Sequence, residues 1–138
     1  MSQIHRASAE CAVPARAAFR FLASGRLLGR WSLGCFGARR VAPGLYRGRS
    51  LFDGKSLLVR PVGDEANLTV HYFAGRARKA LALRSYARVE KRAARRCRVS
   101  LIAERDPGMK AARWRRLAAS LEVEVLLVQA MVGRRRKN

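Results

Sequence analysis

The sequence predicts an α+β fold in which seven antiparallel strands pack against one long C-terminal helix, in the order β-αα-β6-α. Three observations carry this prediction. The opening segment alternates apolar and polar side chains, and turn residues punctuate the region from Gly34 to Asp106 about every ten positions. The final segment repeats apolar residues at helical spacing.

The opening segment is Ile4–Val13, where Ala7, Ala9, Cys11 and Val13 share one face and Arg6, Ser8 and Glu10 the other. That is the pattern of a half-buried strand. Pro14 pre-sets the first turn of a helix over Ala15–Ala23, which carries Ala18, Phe19, Phe21 and Leu22 and stops at Ser24-Gly25. A second short helix is expected over Leu27–Trp31. Strands follow at Cys35–Ala42, Leu45–Phe52, Ser56–Val62, Leu68–Ala74, Leu81–Glu90 and Cys97–Arg105. Pro43-Gly44, Asp53-Gly54, Gly63-Asp64, Gly75 and the basic turn Lys91–Arg96 separate them. Asp53-Gly54 is the strongest two-residue turn, because both residues tolerate positive φ. Asp106 can cap the last helix and Pro107 fits its first turn. Trp114, Leu117, Leu121, Val125, Val128 and Val132 then form its apolar stripe, and Gly133 is a natural stop. Residues 1–133 are therefore expected to form a single domain, and 134–138 a basic tail suited to the negative end of the helix dipole.

Composition excludes several classes. At 138 residues and 49% hydrophobic content the chain can bury a real core and is not a disordered segment. The longest apolar run, Val125–Val128, is far too short to span a bilayer. Met1–Ser8 carries His5 and Arg6 and leads into no cleavable apolar segment, so a cytoplasmic location is expected. Cys11, Cys35 and Cys97 are odd in number and widely spaced, which indicates neither a disulfide framework nor a zinc site. The net charge of +21 is spread along the chain, with dense stretches at Lys91–Arg98 and Arg134–Lys137. Arg and Ala are both over-represented, as GC-rich coding in a bacterial-type genome would produce, and a solvated basic surface is the plainer explanation. A functional explanation is weak, salt-sensitive attraction to nucleic acid or an anionic membrane through Arg92, Arg95, Arg96, Arg98, Arg134, Arg135 and Arg136. No aromatic residue lies within those runs, which argues against a base-stacking platform.

The element order resembles the helix-grip fold of the START-like (SRPBCC) superfamily, which includes polyketide cyclase/dehydrases, lipid-transfer and coenzyme Q-binding proteins. Locally, Ile4-His5-Arg6-Ala7 followed by Val13-Pro14-Ala15-Arg16-Ala17-Ala18-Phe19-Arg20-Phe21-Leu22 resembles that family's strand and small-Pro-led helix. Trp31 at the end of the second helix and a Met/Trp-bearing final segment, with Met109 and Trp114, are similar too. The resemblance implies a sheet curved around the long helix and a cavity between them for an apolar or amphipathic ligand. Elementary packing agrees, since one helix cannot fill the concave face of seven strands.

Strand parity then nominates the lining. Leu81, Leu83, Ser85, Ala87 and Val89 share a face away from Arg84, Arg88 and Glu90, and Cys97, Val99, Leu101 and Ala103 oppose Arg98, Ser100 and Glu104. Leu68, Val70, Tyr72 and Ala74 turn inward and leave Thr69 and His71 outside. Tyr46, Gly48, Ser50 and Phe52 turn inward because Arg47 and Arg49 must reach water. The expected cavity residues are Tyr46, Ser50, Phe52, Val70, Tyr72, Leu83, Ser85, Leu101, Trp114, Leu117 and Leu121. Gly48, Ala74, Ala87, Ala103 and Ala118 would leave room.

Catalytic signatures are sparse. His5 and His71 read as surface residues without a partner at metal-ligand spacing, and Cys11 and Cys97 as core residues. No nucleophile elbow, phosphate-cradling glycine loop or Cys-x-x-Cys occurs, so no metal or cofactor is expected. The leading expectation is a small-molecule binding or carrier protein for a lipid, quinone, polyketide or aromatic metabolite, hydrogen-bonded by Tyr46, Tyr72 and Ser85. A cyclase or dehydratase on the same scaffold is the enzyme alternative, served by Tyr46, Tyr72 and, should the register slip by one, an inward Arg84. The chain is expected as a monomer, or as a homodimer paired through Leu45–Phe52 or the exposed helix face.

Overall fold

The chain turns from strand to helix at Pro14, whose φ of −59° and ψ of 147° end the first strand and leave its carbonyl to accept from Ala17 and Ala18. The computed structural model describes residues 3–135. Strand β1, Ile4–Cys11, precedes helices α1, Ala15–Ala23, and α2, Gly25–Trp31. Ser24 joins the two helices: its amide bonds back to Phe21 and its hydroxyl accepts from Leu27 N. Strands β2 (Phe36–Ala42), β3 (Leu45–Arg49), β4 (Ser56–Asp64), β5 (Thr69–Gly75), β6 (Ala82–Ala93) and β7 (Arg96–Glu104) follow, and α3 spans Ala111–Arg135.

All seven strands form one antiparallel sheet in the order β1-β7-β6-β5-β4-β3-β2. The sheet is curved, with the long helix α3 across it, as the element order predicts. The meander places β1 beside β7, where Ala7 lies opposite Leu101 and Cys11 opposite Cys97. Helices α1 and α2 cover one part of the inner face, and Phe19, Phe21, Leu22, Leu27, Leu28 and Trp31 join the core there. Val125, Val128 and Val132 of α3 bury against the rest.

Local boundaries depart from the sequence reading in several places. Strand β3 ends at Arg49, and Asp53-Gly54 is not a two-residue turn but part of a six-residue loop, residues 50–55. Only Gly54 of that pair has positive φ, and the loop is closed by Ser50 N donating to Lys55 O and Gly54 N to Ser50 O. Gly63-Asp64 lies inside β4, and the turn falls at 65–68, where Leu68 takes a φ of 50°. The Lys91–Arg96 turn shrinks to Ala94-Arg95, because β6 and β7 pair as far as Ala93 and Arg96. Asp106 caps nothing in α3, for its carbonyl accepts from Met109 N in a separate turn and the helix starts at Ala111. Nor does Gly133 stop α3, which runs on to Arg135, so the expected tail boundary at 134 is not a helix end. Strand β3 lies between β2 and β4, so the Leu45–Phe52 segment has no free edge through which to pair a second copy.

Candidate ligand cavity

A cavity of about 420 Å³ lies between the first half of α3 and strands β4 to β7, within the range typical of small-molecule sites. The loop 50–55 and the connection from α2 to β2 wall its remaining sides. Of the residues expected to line it, Ser50, Phe52, Tyr72, Ser85, Leu101, Leu117 and Leu121 do so.

Four do not. Tyr46 faces inward beside Val59, but its ring packs onto Gly25, where a Cβ would fall on the aromatic carbons, so α2 separates it from the cavity. Val70 is fully buried in the core, and Trp114 is buried beside the cavity without lining it. Leu83 is 50% exposed. The reason is a bulge: Tyr72 pairs with Ser85 but Phe73 pairs with Leu83, leaving Arg84 as the extra residue. Parity inverts there, so Leu83 turns outward and Arg84 joins Ser85 on the cavity wall. Of the small residues expected to make room, only Ala74 lines the space. Gly48 instead admits Cys35 against its Cα, and Ala87 and Ala103 are fully covered.

The polar groups sort into a deep end and a mouth. Glu124, on α3, is 7% exposed and its Oε2 accepts from Leu33 N at 2.8 Å. Burial pushes its carboxyl up to about 7, against the opposing pull of that amide. Tyr72 lines the same space, but its hydroxyl donates to Leu22 O at 2.7 Å, so the donor expected for a ligand is already engaged. Burial, with the nearby Glu124 charge adding, holds the Tyr72 phenol well above its ordinary pKa. Trp31 meets the Tyr72 ring edge-on at 5.7 Å, and its Nε1 is buried without a partner among the described residues.

At the mouth, five cationic side chains (Lys55, Arg76, Arg84, Arg113 and Arg116) face a single carboxylate, Asp53. Asp53 is held below the usual carboxylate range by the Lys55 amide first, then by the Lys55 and Arg76 charges. Arg116 stacks over the Phe52 ring at 5.4 Å. Arg84 is pulled below its ordinary pKa by burial first and by the like charge of Arg113 second, with Asp106 opposing.

Sequence reasoning missed Glu124, Arg113 and Arg116 as lining residues. Glu124 was legible: it stands seven residues after Leu117 and three after Leu121, inside the apolar stripe.

Elsewhere, His5 is not a surface residue of the polar face. It shares the inner parity of Ala7, and its Nε2 lies 2.7 Å from Glu122 Oε2 on α3. His71 faces outward and stacks on Tyr86. The expected anionic-surface residues fall at the opposite end of β6 from the cavity, around the β6–β7 hairpin. Arg98 binds Glu10 at 2.9 Å and Arg92 lies 3.9 Å from the same carboxylate, which leaves Arg95 and Arg96 at the hairpin tip. Arg136 lies outside the described residues, and Arg134 and Arg135 contribute only helical backbone to the description. Among the described residues no group of acidic, His and Cys side chains has metal-site geometry, and no helix is long and apolar enough to cross a membrane.

Solved structures share this architecture. The di-domain ARO/CYC BexL from the BE-7585A biosynthetic pathway superposes with a TM-score of 0.72 at 20% identity over 93% of the chain, which spans only 45% of BexL. The Zhui aromatase/cyclase from Streptomyces sp. R1128 gives 0.69 at 13% identity, covering 99% of this chain and 96% of that one. A START superfamily protein from Mycobacterium smegmatis gives 0.71 at 11% identity, covering 95% and 97%. The chain has the START-like, helix-grip fold. No family model and no curated protein sequence matches it. At these identities the likeness concerns the START-like scaffold, and the chemistry must be argued from this chain's own side chains.

Proposed function

We propose that this protein binds a small apolar or amphipathic molecule in the cavity between α3 and the sheet, as a START-like binding or carrier protein for a lipid, quinone, polyketide or aromatic metabolite. One observation carries the reading: a cavity of about 420 Å³ walled by Tyr72, Leu101, Leu117 and Leu121 from both layers, with charged side chains gathered at its mouth and Glu124 within. Residues 1–133 act as the binding domain. A cytoplasmic location accords with three cysteines that are free and buried.

The test is direct. Protein purified at high salt is examined by native mass spectrometry for a bound molecule, then titrated with the neutral fluorophore N-phenyl-1-naphthylamine. Saturable one-to-one binding that is lost in Leu117→Trp, with an unchanged circular dichroism spectrum, supports the reading. Equal binding to Leu117→Trp, or none to the parent protein, refutes it.

A second reading, a cyclase- or dehydratase-like enzyme, is favoured by Glu124. Its carboxyl, with a pKa of about 7, lines the cavity and is poised to give or take a proton at neutral pH. In that case Glu124→Gln abolishes turnover of a polyketide-like substrate while keeping fluorophore affinity. Binding of nucleic acid or an anionic membrane by Arg95, Arg96 and the C-terminal arginines stands behind both, as a weak contact that fades with salt.

A further inference from the structure

We infer that the cavity selects amphiphiles bearing an anionic group, which sits at the mouth against Arg84 and Arg113 while the apolar body extends toward Leu121 and Trp31. This rests on the ligand-binding reading above and narrows it to a chemical class.

The geometry sorts the five cations of the mouth by what already holds them. Arg116 lies over the Phe52 ring, and Asp53 accepts from the Lys55 amide and feels the charges of Lys55 and Arg76. Arg84 and Arg113 differ: among the described residues neither makes an ion pair or hydrogen bond, yet Arg113 lies close enough for its charge to disfavour that of Arg84. Arg84 is half-buried, so water compensates it poorly. It faces inward only because the β6 bulge inserts it between Leu83 and Ser85. Asp106 acts on Arg84 without forming an ion pair with it, and two guanidinium groups on one cavity wall that no carboxylate bonds are satisfied together by one carboxylate, sulfonate or phosphate, which accepts from both planar forks. Glu124 does not serve them, being bound to Leu33 N at the deep end.

Two dyes of the same ring system separate the terms: 8-anilinonaphthalene-1-sulfonate carries the anion, and N-phenyl-1-naphthylamine lacks it. Titrations are made at about 0.3 M salt, where exposed charges are screened. The parent protein should bind the sulfonate about tenfold more tightly than the neutral dye. Arg84→Gln and Arg113→Gln should each remove most of that preference and leave the neutral dye's Kd within about twofold. Arg88→Gln, exposed on β6 and outside the cavity lining, should change neither. Arg113 is exposed on the first turn of α3, so its variant keeps the test open even if Arg84→Gln does not fold. Equal affinity for the two dyes, or a preference that survives in Arg113→Gln, overturns this inference and leaves the cavity reading standing. Failure of both dyes to bind overturns the cavity reading, and this inference with it.

Discussion

Replacing Glu124 by Gln asks whether the cavity holds a carboxyl whose charge the fold resists. The side chain is 7% exposed, and burial raises its pKa from 4.5 to about 7. Since the folded value lies above the unfolded one, the folded state holds the proton more tightly than the unfolded chain. Its contribution to stability is therefore complete below about pH 4.5 and is lost as pH rises through about 7. The gap between the two values corresponds to about 3 kcal/mol. Gln has the same shape, keeps an oxygen to accept from Leu33 N, and does not ionise. The parent and Glu124→Gln should thus be nearly equally stable near pH 4.5, and the variant should be the more stable by about 3 kcal/mol above about pH 8. Urea unfolding across that range measures the difference, in which the acid-side contributions of Glu10, Asp53 and Asp64 cancel. Parallel stability curves would refute the reasoning, for they would mean that the ionised carboxylate finds water or a cation inside the cavity.

Other substitutions test the packing and the site. Tyr72→Phe removes the bond to Leu22 O and should cost about 1–2 kcal/mol in chemical denaturation while leaving neutral-dye affinity unchanged, because that hydroxyl does not serve the cavity. Gly29→Ala places a Cβ on the backbone nitrogen of Ala38 and should destabilise by about 1–3 kcal/mol, whereas Gly34→Ala meets open space and should change unfolding far less. All three cysteines are buried, and burial pushes the Cys35 thiol up to about 11, so a disulfide reagent near pH 8 should modify them slowly in the folded protein and fully after unfolding. Rapid modification of the native protein would contradict the core placement of Cys11, Cys35 and Cys97.

The fold was legible because each element states its period locally. The β1 alternation, the Pro14 boundary and the apolar stripe from Trp114 to Val132 each needed no partner to be read, and α1 falls where the sequence places it. Turns were read less well, because their residue preferences do not specify loop length. Asp53-Gly54 suits a two-residue hairpin by composition, yet Arg49 bonds to Gly54 O and Ser50 N bonds to Lys55 O, which hold a wider loop. The start of α3 was misplaced for a similar reason. Asp106-Pro107 satisfies the local rule for a cap, while Arg105 bonds to Met109 O and fixes a turn that delays the helix to Ala111.

The cavity residues that parity misassigned lie where two elements correct each other. Strict alternation along Leu81–Glu90 treats Leu83 as an inner residue and Arg84 as an outer one, which is the favourable choice for an isolated strand. The pairing with β5 inserts one residue at that point, which sends a leucine to solvent and a guanidinium toward the interior. On hydrophobic grounds alone this arrangement is unfavourable twice over. Glu124 repeats the pattern on α3, an acid set within a stripe of leucine and valine and kept there by one amide of the α2–β2 connection. Both departures face one cavity, at opposite ends of it. Local preferences conceded at two positions that share a single enclosed space are what a polar-ended ligand would need, and a core that only had to be filled would require neither.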